Sequence, residues 1–439
     1  MLDEPVSVVG GGLAGCEAAW QLARRGIRVR LLEMKPLRLS PAHSSPSLAE
    51  LVCSNSLRSD QIHNAVGLLH EEMRRLDSLV LRVADAHRVP AGKALAVDRE
   101  CFASAVTEQI DAEPRIEREA VEVTEIPSGT VILATGPLTS GALAGAIGEL
   151  CGDALYFYDS ISPIVYRDSV DLDLAFRASR YEEGEGDYLN LSLSRAEYYA
   201  FIDALVKAET VPLHRSEQAL YFEGCLPIEV MAERGAETLR FGPMKPVGLT
   251  DPATGETAFA VLQLRNEDEA GTLLNLVGCQ TRMRVGEQKR CFRALPGLRD
   301  AVFARFGSMH RNTFIRTPVL LTERMEHRAR PGLFFAGQIA GVEGYVESAA
   351  LGLFVGVEVA RRSLGQETPL PPVTTALGSL LRYLSGARPG SFQPMNVNYG
   401  LFPPLAGGGR RVPKRERNER QSARALADLA PWAERVRPA

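Results

Sequence analysis

Two cysteines stand where a thiol can do chemistry. Cys53 lies in Glu50-Leu-Val-Cys53-Ser-Asn-Ser-Leu-Arg58, and Cys225 lies in Tyr221-Phe-Glu-Gly-Cys225-Leu-Pro-Ile-Glu229. Both runs are rich in turn formers, so either side chain can meet a ligand instead of a core. A thiolate in such a place is a nucleophile or a base. The bland alternative for a single cysteine is a small buried hydrophobe. That is the expectation for Cys16, on the face of the first helix, and for Cys101, Cys151 and Cys291, while Cys279 stays open. The nearest pair is Cys279 and Cys291, and no C-x-x-C exists. A flavin disulfide reductase and a structural zinc site are therefore disfavoured, and no metal is expected.

The second chemical feature is Gly10-Gly11-Gly12-Leu13-Ala14-Gly15, which fits G-x-G-x-x-G between a strand and a helix. Gly10 permits the tight turn, Gly12 lets the backbone approach a pyrophosphate, and Gly15 lets helix and strand pack closely. The helix start at Leu13 and Ala14 offers free N–H groups to the phosphates. Glu33 ends the next strand, where a carboxylate accepts from ribose hydroxyls. Two further segments favour FAD over NAD: Ala134-Thr135-Gly136 ending a strand, and Leu333-Phe-Phe-Ala-Gly337 before a late helix. Large two-dinucleotide flavoproteins resemble this pattern, although they carry Asp where this chain has Gln338. No second G-x-G-x-x-G follows a strand, so a nicotinamide reductant would dock transiently at the flavin.

The elements that position these residues follow from periodicity. A strand at 6–9, a helix from 13 to 25 stopped by Gly26, and a strand at 28–33 make a βαβ unit. Residues 36–60, rich in Pro and Ser, read as a long ordered loop. Helical spacing covers 61–82 and 98–111, and a strand runs over 130–136. The texture then becomes mixed, with one clear helix at 195–209. A strand at 332–336 and a helix at 343–362 return to the first pattern. After Pro369, Pro371 and Pro372 comes a tail with a short helix, a Gly/Pro-rich loop and a basic run, Arg410, Arg411, Lys414, Arg415, Arg417 and Arg420. The expected class is α/β, a Rossmann-type FAD-binding domain with an inserted mixed α+β domain. The boundaries are 1–155 and 326–368 for the nucleotide domain, 156–325 for the insert, and 369–439 for the tail.

Bulk properties narrow the field. The formal net charge is -4 over 439 residues, which argues against a general polyanion-binding protein but leaves room for a local basic patch. No apolar run is long enough to cross a bilayer, and the N-terminus lacks the features of a signal peptide. Seven scattered cysteines make no disulfide framework, so a reducing cytoplasm is expected.

Longer strings then carry a resemblance. The run GGGLAGCEAAWQLARRGIRVRLLEMKP, followed by PAH and ELVCSNSLRS, is similar to the bacterial folate- and FAD-dependent tRNA uracil-5-methyltransferases, TrmFO. The likeness continues through YFEGCLPIE, LRFGPMKPVGL, MHRNTFI, FFAGQIAGVEGYVESAALGL and NVNYGLFPPL, from Val6 to about Leu405.

The resemblance implies transfer of a methylene group from 5,10-methylenetetrahydrofolate to C5 of the T-loop uridine (uridine 54) of tRNA. Reduced FAD would supply the electrons and NAD(P)H would regenerate it. The family's two functional cysteines fall on Cys53 and Cys225. Cys225 is assigned as the nucleophile at uracil C6, and Cys53 as the base or a group acting at the flavin. Glu343, Tyr345 and Glu347, just beyond the flavin-side turn, can line the same pocket. For Glu343 a helix-start carboxylate is an equal reading. His310-Arg311-Asn312 has no assigned role. Arg410, Arg411, Lys414 and Arg415 would suit phosphates of the tRNA T-arm, against a solvated, frayed tail. No obligate protein partner is evident. The alternatives are MnmG-like wobble-uridine modification, whose family is longer, and a plain NAD(P)H-dependent flavin oxidoreductase.

Overall fold

A computed structural model describes residues 4–438 except 41, 153–154, 161, 181–185, 213–225, 253–254, 390–391 and 406–412; for 155–160 and 310–312 it describes backbone only. Five strands, β1 (Val6–Val9), β2 (Val29–Glu33), β3 (Ile116–Ala120), β4 (Val131–Leu133) and β5 (Leu333–Phe335), form one sheet in the order β5-β4-β1-β2-β3. All four pairings are parallel. Parallel sheets are covered on both faces, which is why β1 and β4 are wholly buried and, apart from Ser7, apolar.

Helix α1 (Leu13–Ala23) is buried along its whole length. Its small residues allow this, because the late helix crosses it at backbone distance. A Cβ added at Gly352 would stand 2.2 Å from the Ala14 carbonyl oxygen, so a glycine is needed there for the helices to touch.

The helical run expected at 61–82 is two helices, α2 (Ala65–Arg75) and α3 (Leu79–Ala86). Asp77 between them adopts φ +57, which ends the first, and Ser78 caps the second through Leu81 N. The buried Glu17 on α1 completes the cap, accepting from Val80 N at 3.0 Å and from Ser78 Oγ at 2.7 Å. An apolar-periodicity reading passes over such a break, since both pieces bury the same stripe. Helix α4 (Arg99–Ala112) follows, capped by Asp98.

The insert has its own core and its own six-stranded sheet, in the order Ala175–Arg177, Leu189–Leu193, Ala260–Asn266, Leu273–Leu276, Ile164–Tyr166, Phe303–Arg305. Its pairings are antiparallel. The strands Leu155–Ser160 and Met309–Phe314 pair with each other where the chain enters and leaves this unit.

The late helix is α5 (Tyr345–Ser363). Beyond it the tail departs from expectation. Its described residues include two α-helices, α6 (Ala376–Gly386) and the long α7 (Lys414–Val436). Leu377, Leu380, Leu429, Trp432 and Val436 join the core of the nucleotide domain. The basic residues at the start of α7 obscured its apolar stripe, which begins only at Ala425.

Candidate functional site

The three segments expected to hold a dinucleotide converge at the carboxyl ends of β1, β4 and β5. A Cβ at Gly10 (φ +103) would lie 2.6 Å from the Ala134 carbonyl oxygen, and one at Gly15 would lie 1.8 Å from the Gly10 carbonyl oxygen. Those two positions exclude side chains so that the turn can close. Gly12 differs: a Cβ there would meet no atom within 4 Å. The space above Gly12 and the start of α1 is open to a ligand, with the helix N-terminus facing it. Gly337 (φ +78) brings the late turn against α1, within 2.7 Å of the Ala14 Cβ for an added Cβ.

Glu33 is buried and tied into the turn, accepting from Gly11 N at 2.5 Å and from Lys35 N at 3.0 Å. It lines a shallow cleft with Gly10, Thr135, Thr139 and Ser140. Gly136 (φ +65) ends the strand segment beside it. The residues present thus fit an adenine dinucleotide: an open glycine turn, a helix start, and a carboxylate beside a cleft.

Cys53 and Tyr345 come together from opposite ends of the chain. The Tyr345 hydroxyl stands 2.8 Å from Cys53 Sγ, and it accepts from Cys53 N at 2.7 Å and from Ser54 N at 3.4 Å. With its lone pairs engaged by two N–H groups, the hydroxyl has its proton free to donate to sulfur. Tyr345 is half-buried, and desolvation of its hydroxyl together with the neighbouring Cys53 raises its pKa well above the usual phenol value. It therefore stays protonated and acts as a donor.

Two guanidinium groups complete this environment. Arg99 and Arg305 both interact electrostatically with Cys53 and Tyr345. Arg99 is paired to Glu267 at 2.6 Å, and Arg305 donates to the Ala42 carbonyl at 3.0 Å. A donor hydroxyl and nearby positive charge are what lower a thiol pKa. The Cys53 loop is also pinned to the insert. Arg265 donates to Asn55 Oδ1 at 3.0 Å and to Ser54 Oγ at 2.8 Å, while Asn55 Nδ2 donates to the Asn266 carbonyl at 3.0 Å.

The turn after β5 is equally braced. Gln338 Nε2 donates to Glu343 Oε2 at 2.6 Å, so its amide serves the protein's own carboxylate. Asn396 Nδ2 donates to the Glu343 carbonyl at 2.6 Å. Glu347, in the first turn of α5, accepts from Val397 N at 2.9 Å and from the Arg58 guanidinium. Glu347 is thus the helix-start carboxylate, the place considered for Glu343. Its other oxygen is buried without a hydrogen-bond partner among the described residues.

The remaining cysteines separate by burial. Cys16 and Cys279 are buried, with thiol pKa values pushed far up by desolvation. Cys151 and Cys291 are also buried, and burial raises each to about 11. Cys101 contradicts its expected burial: it is exposed near the start of α4, because the inward stripe of that helix is Phe102, Ala103, Val106 and Ile110. Cys225, Arg410 and Arg411 lie outside the described residues, as do the side chains of His310, Arg311 and Asn312. Lys414 and Arg415 form the first turn of α7, where Arg415 pairs with Glu419 at 3.0 Å.

Sequence reading missed Arg99 and Arg305, which act on the thiol, and Arg265, which holds its loop; none belongs to a motif, and folding alone brings them there. The one legible signal was Arg58, closing the same short run as Cys53.

Comparison with known proteins fits this geometry. The family model described as Glucose inhibited division protein A matches residues 5–367. Curated proteins named methylenetetrahydrofolate--tRNA-(uracil-5-)-methyltransferase TrmFO are similar along the whole chain. The one from Geobacter sulfurreducens is 58% identical over 97% of this chain and 98% of its own. The one from Lactobacillus delbrueckii subsp. bulgaricus is 53% identical over 98% of each. Among solved structures, Aquifex aeolicus GidA (form I crystal) has a TM-score of 0.72 at 16% identity, covering 99% of this chain and 76% of that one. That likeness shows the fold. The chain belongs to the Glucose inhibited division protein A family, within the group of its members named TrmFO.

Proposed function

We propose that the protein is a folate- and FAD-dependent tRNA (uracil-5-)-methyltransferase that methylates the T-loop uridine. The observation that carries this reading is identity of 53 to 58% to TrmFO proteins over essentially the whole chain, joined to a thiol held beside a phenol donor and two guanidinium groups. FAD would lie along the glycine turn, held by Gly10 to Gly15, Glu33, Gly136 and the Gly337-Gln338 turn. When bound and reduced it supplies the electrons that turn a folate-derived methylene into a methyl group, with NAD(P)H as reductant.

The chain's own residues do the rest. C5 of uracil is a poor nucleophile until a soft nucleophile adds at C6 and converts the base to an enolate, and a thiolate is the side chain best suited to that addition. Cys225 takes this part. Once the new C5 bond forms, a base must remove the C5 proton so that the folate nitrogen can leave and an exocyclic methylene remains, and the C6–S bond breaks when that methylene is reduced to methyl. Cys53 takes that proton, its thiolate held by the Tyr345 hydroxyl. Glu343 and Tyr345 face the substrate. Arg410, Arg411, Lys414 and Arg415 contact tRNA phosphates, and the target base leaves its stack to enter. The enzyme works in the cytoplasm, where tRNA and reduced folates are found together.

The test is an assay with unmodified tRNA, 5,10-methylenetetrahydrofolate and NADH, followed by tRNA carrying 5-fluorouridine. Activity that survives replacement of folate by S-adenosylmethionine would refute the folate route. Cys225→Ala is expected to abolish the covalent adduct with 5-fluorouridine tRNA. An adduct formed by Cys225→Ala and lost in Cys53→Ala would reverse the two roles.

A further inference from the structure

The end of the parallel sheet opposite the glycine turn holds a second concavity. A cleft of about 450 Å³ lies where the C-termini of α1, α4, α5 and α7 meet, within the usual range of small-ligand sites. Arg24, Arg25, Arg115, Arg361 and Arg437 line it, with Glu113 as the one lining carboxylate. The chain as a whole is net negative, so this gathering is not a matter of composition.

Two of the five are fixed in place. Arg25 Nη2 donates to the Val436 carbonyl at 2.6 Å, and Arg361 donates to the carbonyls of Arg435 and Glu367 at 2.8 and 2.9 Å. These bonds orient the guanidinium planes without neutralising them. Arg24 reaches Asp77 only at 3.8 Å, with both side chains about half exposed, a contact worth little. Arg115 and Arg437 are exposed and make no ion pair among the described residues. Burial first, and then Arg361, pull the Arg25 pKa down to about 10, as expected of like charges crowded together.

Helix ends alone do not account for the cluster. Each C-terminus carries about half a negative charge, so the four contribute about −2 in all. With Glu113 counted as well, the five guanidinium groups still leave an excess of about two positive charges. A phosphomonoester carries about that much negative charge near neutrality, and the guanidinium fork matches phosphate oxygens.

We propose that this cleft binds a phosphoryl group, with Arg25 and Arg361 as its fixed floor and Arg115 and Arg437 closing on it. Helix α1 is about 16 Å long and separates the cleft from the glycine turn, so a ligand here does not touch the dinucleotide. The inference does not depend on the tRNA reading, since the charge is met either by one phosphate monoester or by two neighbouring diester phosphates of an RNA backbone.

The experiment compares the FAD-loaded full chain with its Arg115→Ala/Arg437→Ala double variant, two exposed positions outside the dinucleotide and thiol sites. Inorganic phosphate, titrated against chloride at matched ionic strength, is read by thermal shift and by 31P line width. A fluorescent tRNA transcript is titrated in parallel by anisotropy over a range of salt. For a free-phosphate source, phosphate binding weakens at least about ten-fold in the variant while tRNA binding is unchanged. For an RNA source, tRNA binding weakens about ten-fold and its salt dependence becomes shallower by one to two phosphates. Glu113→Gln shifts the affected titration the other way. If the double variant matches the parent in both titrations, the cleft is not a phosphoryl site.

Discussion

The Tyr345 hydroxyl is 2.8 Å from Cys53 Sγ while accepting from two backbone N–H groups of the cysteine loop. That arrangement leaves its proton to sulfur, so the phenol stabilises the thiolate and not the thiol. Tyr345→Phe keeps the ring and removes the donor. A hydrogen bond to a charged group contributes about 1.5–3 kcal/mol, so the Cys53 thiolate is expected to form only at higher pH in the variant. Iodoacetamide labelling of Cys53 across pH reads this directly. An unchanged labelling profile would show that the hydroxyl does not hold the thiolate.

The glycine turn makes a paired prediction. Gly15→Ala forces a Cβ to 1.8 Å from the Gly10 carbonyl oxygen, so the turn must open and the purified protein should lack flavin absorbance and melt earlier. Gly12→Ala meets no protein atom within 4 Å. It should leave the melting temperature of the flavin-free protein nearly unchanged and still weaken FAD binding at least about ten-fold, because its methyl occupies the ligand's approach. Full FAD occupancy in Gly12→Ala would remove the pyrophosphate from that position.

Glu72 is buried and accepts from Ala376 N at 2.7 Å and Leu377 N at 3.0 Å, capping α6. Burial raises its pKa from 4.5 to about 7. The folded state therefore holds a proton that the unfolded chain has lost between those two values, and stability from this group falls as pH rises through that window. The full effect is about 3 kcal/mol. Glu72→Gln keeps one acceptor oxygen and leaves one N–H of α6 without its partner, so it should be less stable than the parent near pH 4.5, with the gap closing or reversing as pH rises to about 8. Chemical denaturation at both ends checks it, and parallel pH dependences for the two proteins would contradict the assignment.

Trp432 on α7 is 4% exposed and donates from Nε1 to the Pro369 carbonyl at 2.7 Å. Trp432→Ala should cost about 3–5 kcal/mol, the usual loss for emptying a large aromatic site. Thermal melting of the nucleotide domain, followed by flavin release, would show it. A negligible shift would return the C-terminal segment to the status of a solvated tail.

The sequence alone settled what is local. The glycine turn, Glu33 and the strand before Gly136 declare themselves because a βαβ nucleotide unit needs small residues and an acid at fixed offsets, and Cys53 stood out by the turn formers around it. Two things were left to tertiary structure. The first is the company Cys53 keeps: Tyr345 and Arg305 come from far along the chain, and a long-range contact leaves no periodic trace. The second is burial where charge and helix patterns overlap. Cys101 faces solvent although its helix is amphipathic, and α7 packs into the core although its first turns are basic. Spacing reports which residues share a face, but only packing decides which face is covered.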